Sequence, residues 1–254
     1  MRRTKIICTI GPKTESPAML EKLAKAGMNI ARLNMSHGDH SSHKSVIDSL
    51  KILNKKLDHP VGILLDTQGP EIRTGDIAND LHLKAGDVVS IVVRGTDNVE
   101  ESSIQINYED LIKDTNIGDT ITVDNGLINL QVLEKQDRLM KVKVIDGGLL
   151  KSKRHVNLPG VRVNLPAITE KDKRDIKFGI QNKVDFIALS FVREASDIKS
   201  LQTLIGEDKR GTKIIAKLED QEAIKNMQEI IKVSDGIMVA RGDLGVEIPF
   251  EVLP

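Results

Sequence analysis

The sequence predicts an α/β fold: an incomplete (β/α)8 barrel of about six βα units that carries an inserted β-barrel domain. Three observations predict it. Short β-rich runs alternate with amphipathic helical stretches at both ends of the 254-residue chain. Between them, from roughly Pro70 to Leu165, the texture turns to short strands and tight turns. The polar residues able to do chemistry recur at the ends of the proposed barrel strands. The expected division is residues 1–69 for the first part of the barrel, 70–165 for the insert and 166–254 for the second part.

TKIICTI opens the chain as a strand. Ser16 as N-cap and Pro17 in the first turn start a helix that runs to Ala26 and stops at Gly27. MNIARLN and VGILLDT are the next strands, separated by a polar helical stretch around Ser41 to Leu57, so the opening reads βαβαβ. That order implies parallel strands, and continuous apolar runs suit a sheet whose one face is covered by helices and whose other is filled by side chains. In the insert, DVVSIVV, DTITVD, INLQVLEK and MKVKVI are strand-like and are punctuated by Gly and by Asn-Gly or Asp-Gly turns. The alternation then returns: a capped helix from Thr169 to Asn182, DFIALSF, a helix around Ser196 to Gly206, KIIAKLE, a helix around Gln221 to Val233, and GIMVARG. A closed TIM-type barrel needs eight strands, so this reading stops about two βα units short.

Composition excludes several function classes. Lys and Arg number 37 and Asp and Glu 37, so no global basic field favours nucleic acid, and anion sites must come from local clusters. Aromatic residues are 2% with no Trp, which leaves little material for stacking on bases. No apolar run approaches the ~20 residues that span a bilayer, and MRRTKIICTIG lacks a signal-peptide core. The single Cys8 lies in an apolar run and is expected to be a small buried hydrophobe. Together these predict a soluble, cytoplasmic protein without membrane or nucleic-acid partners.

The candidate chemistry begins at KIIAKLE (Lys213–Glu219), where Lys217 and Glu219 stand two residues apart and a strand would turn both to one face. Asp243 adds a second carboxylate after GIMVA, and Gly242 lets the backbone approach a ligand. A lysine beside two hard oxygen ligands suggests a divalent metal and an anionic substrate; the plainer reading is a buried ion pair. Arg32, Asn34, Ser36, Asp66, Thr67, Ser190 and Arg193 also fall at proposed strand ends. A parallel barrel gathers such ends on one rim, where its active site forms. Arg32 alone is as readily a salt bridge between neighbouring strands.

MNIARLNMSHGDH, ILLDTQGPEIRTG, VNLPGVRVNLPAITEKD, DFIALSFVREASD, IIAKLED and MVARGDLGVEIP resemble pyruvate kinase, in order and spacing from Lys5 to Pro249. The chain covers about the first half of that family's length. The resemblance implies transfer of phosphoryl from phosphoenolpyruvate to ADP in glycolysis, giving pyruvate and ATP, with Mg2+ (or Mn2+) and K+. It implies that Lys217 stabilises the moving phosphoryl and the enolate oxygen, that Glu219 and Asp243 hold Mg2+, and that Gly242 and Asp243 offer backbone amides to the substrate carboxylate. Arg32 would grip the phosphate, and Arg73 and Arg154 would meet the nucleotide phosphates. Asn34, Ser36, Asp66 and Thr67 match the family's K+ site. The insert resembles the family's mobile lid, and the full-length family usually forms homo-oligomers.

The sequence departs from that pattern in places. Lys153-Arg154-His155 stands where the family usually has Lys-Lys-Gly, and Gln68 where many members have lysine. The closing FEVLP follows the expected acidic helix start only loosely, and the later strands with their threonine and C-terminal domain do not follow. An open barrel leaves apolar edges unpaired, so weak or absent activity is expected of this polypeptide alone. Two alternatives stand beside the kinase: a Mg2+-dependent lyase acting on a pyruvate enolate, and a nucleotide- or phosphoenolpyruvate-binding regulatory piece. The insert and Arg73 argue against the lyase, which has no nucleotide to cover.

Overall fold

The starts of the first two helices follow local capping chemistry. A computed structural model describes residues 3–94, 103–161, 163–206 and 211–248; the FEVLP departure lies outside them. Strand β1 (Ile7–Thr9) leads to α1 (Pro17–Ala26), where the Ser16 hydroxyl accepts the Met19 amide at 3.4 Å and Gly27 closes the helix at φ 108°. Strand β2 (Ile30–Asn34) leads to α2 (His40–Asn54), opened by a reciprocal box in which Asp39 accepts the Ser42 amide at 2.8 Å. This helix ends before Leu57 because the Asn54 side chain turns back to bond both the Val61 amide and carbonyl at 2.9 Å. Val61 then enters β3 (Gly62–Asp66).

The next stretch is β-rich: β4 (Leu81–Leu83), β5 (Val88–Val93), β6 (Ile104–Ile106), the short α3 (Leu111–Asp114), β7 (Thr120–Val123), β8 (Ile128–Lys135), β9 (Leu139–Asp146), β10 (Gly148–Leu150) and β11 (Val156–Asn157). Six of these strands form one sheet in the order β11-β7-β8-β9-β5-β6, and β10 pairs with β4. In the β7–β8 connection the Leu127 amide bonds the Asp124 carbonyl at 3.3 Å across Asn125 and Gly126 at φ 57° and 83°, the left-handed pair that a tight hairpin turn requires. Strands β4, β6, β10 and β11 are only two or three residues long. They are too short for alternation to register in the sequence.

After the β-rich stretch come α4 (Glu170–Gln181), β12 (Phe186–Leu189), α5 (Ala195–Ile205), β13 (Lys213–Leu218), α6 (Gln221–Lys225), α7 (Met227–Val233), β14 (Gly236–Val239) and α8 (Arg241–Glu247). Two differences from expectation appear here. The single helix expected over Gln221 to Val233 is broken at Asn226, whose side chain donates to the Arg193 carbonyl at 2.9 Å. That partner is 33 residues away, so no local signal announces the break. Residues Arg241–Glu247, for which no helix is expected from the sequence, form one.

The chain divides into two compact units: Met1–Pro70 with Ala167–Leu218 and Ala223–Val239, and Glu71–Pro166 with Glu219–Glu222 and Ala240–Pro254. The first holds a six-stranded sheet in the order β1-β2-β3-β12-β13-β14, every neighbouring pair parallel. This is the strand–helix alternation of an incomplete (β/α)8 barrel. Leu33, Leu65, Ile187, Leu189, Ala216 and Leu218 build its core with the inner faces of the helices. Cys8 is partly rather than fully buried and packs against this core, because β1 is an edge strand. The second unit has its own core, centred on Ile91, Ile106, Ile121, Leu130 and Val142.

Candidate active site

In the first unit, register brings the chemistry together. Strand β2 alternates, burying Ala31 and Leu33 while Arg32 and Asn34 share its other face. Asn34 lies opposite Asp66 in the β2–β3 ladder, so the last residues of both strands are neighbours. Asp66 is 1% exposed and takes two cations. Arg32 donates its Nε to Asp66 Oδ2 at 2.7 Å, its Nη2 also meets that oxygen, and its Nη1 reaches the Thr9 hydroxyl at 2.9 Å. Lys217, at the end of β13, places Nζ 3.1 Å from Asp66 Oδ1 and donates to Ser190 Oγ at 2.7 Å. Two buried or half-buried cations on one carboxylate leave a local excess of positive charge, which favours an anionic ligand.

Thr67 and Ser190 are joined twice. The Ser190 amide donates to Thr67 Oγ1 at 3.0 Å, and the Ser190 hydroxyl donates to the Thr67 carbonyl at 2.7 Å. Next to them Gly69 stands at φ 74°, where an added Cβ would fall 2.7 Å from the Phe191 ring and 2.9 Å from Ser190 Cβ. Only glycine fits there. Asn34 Oδ1 accepts the Ser36 amide at 3.0 Å, which folds the loop after β2 back over the strand end. Asn34, Ser36, Asp66 and Thr67 thus offer oxygen donors from two adjacent segments, the hard, weakly charged set that suits a monovalent cation.

The second unit gathers the other group. Arg73 donates Nε to Glu71 at 2.7 Å and Nη1 to the Lys153 carbonyl at 2.9 Å. Arg73 and His155 form an isolated antiparallel bridge, and the Thr74 amide donates to the Arg154 carbonyl at 2.8 Å, so both arginines lie on paired segments. Arg154 sits 3.5 Å from Asp124, and its Nε is buried without a hydrogen-bond partner among the described residues. Burial pushes the His155 imidazole below its ordinary value; the charges of Glu71 and Asp243 oppose this, and Arg73 adds to it. Asn157 donates to the Glu247 carboxylate at 2.8 Å.

Glu219 is 1% exposed and directly follows β13 rather than lying in it, so the two-residue strand spacing from Lys217 does not extend to it. Gly242 and Asp243 fall in the first turn of α8, where the Leu244 amide makes the first bond back, to the Ala240 carbonyl at 2.9 Å. Amides before it therefore have no intrahelical acceptor. Burial holds the Glu247 carboxyl above its ordinary value; the Asn157 bond opposes this, and the charges of Asp220 and Asp243 raise it further. Crowded carboxylates of this kind are offset by a divalent cation, and hard oxygen donors are what Mg2+ takes. Among the described residues no group of three or more His, Cys, Asp or Glu side chains is arranged as a metal site. Glu219 and Asp243 number only two, so further ligands would come from substrate and water.

Ser190, like Arg193, is a residue that sequence reasoning placed at a strand end without a role. A serine after a strand is common, and its partners come from the ends of two other strands, β3 and β13. A family model described as pyruvate kinase, barrel domain, matches residues 1–254. The chain belongs to the pyruvate kinase family. Over 257 aligned residues it is 51% identical to the pyruvate kinase of Staphylococcus epidermidis strain RP62A, with all of this chain and 44% of that protein covered. It is 50% identical, over the same shares, to the pyruvate kinases of Staphylococcus aureus strains MRSA252 and USA300. This pyruvate kinase family chain therefore spans a little under half the length of those relatives, as an N-terminal portion. Among its described residues no helix is long and apolar enough to cross a membrane.

Proposed function

We propose that the chain carries a pyruvate kinase active site, transferring phosphoryl from phosphoenolpyruvate to ADP to give pyruvate and ATP in cytoplasmic glycolysis. One observation carries the reading: Arg32 and Lys217, from β2 and β13 of one parallel sheet, converge on the single carboxylate of Asp66 at the end of β3. Phosphoryl transfer asks little covalent chemistry of the protein; it needs cations placed around the moving group and donor and acceptor held in line. Arg32 grips the transferring phosphate through its planar fork. Lys217 follows the charge as it develops on the enolate oxygen, a contact worth more in the transition state than in the ground state. The amides of Gly242 and Asp243 hold the substrate carboxylate.

Glu219 and Asp243 would hold Mg2+ or Mn2+, and Asn34, Ser36, Asp66 and Thr67 the K+; bound, these ions supply charge stabilisation to the phosphoryl and enolate oxygens. Arg73 and Arg154 meet the nucleotide phosphates, a role that the unsatisfied Arg154 Nε supports. Residues 70–165 act as a lid that excludes water during transfer, between barrel parts at 1–69 and 166–254. Gln68 removes one cation beside this site, and Arg154 keeps the charge of the family's lysine on a bulkier group.

The test is ATP formation from phosphoenolpyruvate and ADP with Mg2+ and K+, by this chain and its Lys217→Met variant side by side. A slow rate that falls at least ~100-fold in the variant supports the reading. Equal rates overturn it. Calorimetric binding of phosphoenolpyruvate, lost in Arg32→Met, tests the anion site independently of turnover.

A further inference from the structure

We propose that Ser190 is a positioning residue for Lys217, a role that rests on the phosphoryl-transfer reading above. Hydrogen-bond polarity settles which way the chain of contacts runs. The Thr67 carbonyl can only accept, and at 2.7 Å it lies much nearer Ser190 Oγ than Asp66 Oδ1 does at 3.5 Å, so it takes the single Ser190 proton. The Lys217 ammonium can only donate, so the Ser190 lone pair is what it meets at 2.7 Å. The sequence Lys217 to Ser190 to Thr67 therefore has one direction.

A neutral acceptor matters because the charged partner Asp66 is shared. Arg32 binds Asp66 Oδ2 while Lys217 lies 3.1 Å from Oδ1. Coulomb attraction to that carboxylate is strong in a buried site but barely directional, so by itself it lets Nζ slide along the oxygens as Arg32 or a ligand takes its share. A hydroxyl lone pair has direction. Ser190 can supply it because Ser190 is itself held: it is 1% exposed, its amide donates to Thr67 Oγ1 at 3.0 Å, and the following Phe191 sits at φ 52°, a left-handed conformation that persists only under surrounding constraint. Removing the hydroxyl would take this directional acceptor from Nζ and leave its placement to charge attraction, which is weakly directional.

The test compares Ser190→Ala and Ser190→Thr with the wild-type chain. In turnover, Ser190→Ala should lower kcat about 10- to 100-fold while KM for phosphoenolpyruvate stays within about threefold, and Ser190→Thr should recover most of the loss. A second measurement needs no activity: the 1H–15N signal of the Lys217 ammonium in lysine-15N-labelled chain, assigned by its disappearance in Lys217→Met. An ammonium held by buried acceptors exchanges slowly, so the signal should be present in wild type and Ser190→Thr and lost or broadened in Ser190→Ala. An unchanged signal in Ser190→Ala overturns the proposal, as does a wild type without the signal. If the wild-type chain makes no ATP, the kinase reading fails on that arm while the ammonium signal still decides the role of Ser190.

Discussion

His155 stands where the pyruvate kinase pattern usually has a flexible glycine, and its chemistry makes the second unit sensitive to acid. Burial disfavours the charged imidazole, and the carboxylates of Glu71 and Asp243 only partly offset that. The folded chain thus keeps His155 neutral below the pH at which the unfolded chain protonates it. As pH falls below about 6.5 the unfolded state binds more protons, so stability drops with it; below the folded value the loss stops growing. Urea unfolding at pH 7.5 and 5.5 should show a larger fall for wild type than for His155→Gln. Equal falls would mean that other groups carry the acid sensitivity. The same residue-scale reasoning separates two kinds of legibility. Arg32 and Lys217 stood out by type and strand position, whereas their common partner Asp66 looked like a cation ligand and turned out also to be their counter-ion.

One helix terminus ties down two loops of the candidate site. Asp172, fully buried in the first turn of α4, caps its own helix by accepting the Thr169 amide at 3.0 Å and also accepts the Gly69 amide at 3.1 Å. In the same turn, Lys171 donates to the Met35 carbonyl at 2.6 Å and to Asp175 at 2.7 Å, and His40 meets Asp175 at 2.7 Å while stacking on Phe178. Gly69 and Met35 belong to the segments that follow β3 and β2. Asp172→Ala strands buried donors and should cost about 3 kcal/mol. Lys171→Met removes a half-exposed contact and should cost about 1 kcal/mol. The difference in urea midpoints checks this; equal losses would mean that Asp172 is not the main tie. Thr169 as the cap was readable because capping is local. Its second task was not, because Gly69 is 103 residues from Asp172.

At the scale of the molecule, net charge is balanced, so the proposed anion recognition rests on local clusters such as Arg32 with Lys217 and Arg73 with Arg154. Stability falls to two separate hydrophobic cores, with no buried residue in both. A cavity in one core should therefore be felt first by its own unit. Leu130→Ala, at a fully buried position of β8, should cost about 2–5 kcal/mol. Hydrogen exchange should then speed up in β5, β7, β8 and β9 while amides of β2, β3, β12 and β13 keep their protection. Uniform acceleration across both sets would show instead that the two units unfold as one.

The sequence by itself determined the strands of the parallel sheet, their order, and the helix starts at Ser16 and Thr169, because apolar periodicity and capping are written in contiguous residues. It also put the polar residues at strand ends. Only the tertiary structure decided what those residues do to one another. Arg32 meets Asp66 across 34 positions and Lys217 meets Ser190 across 27, contacts that exist because parallel register sets the ends of β2, β3, β12 and β13 side by side. The break at Asn226 and the second task of Asp172 have the same origin. A hydrogen-bonding side chain is satisfied by whatever the fold brings to it, and that partner leaves no mark on the residues beside it in sequence.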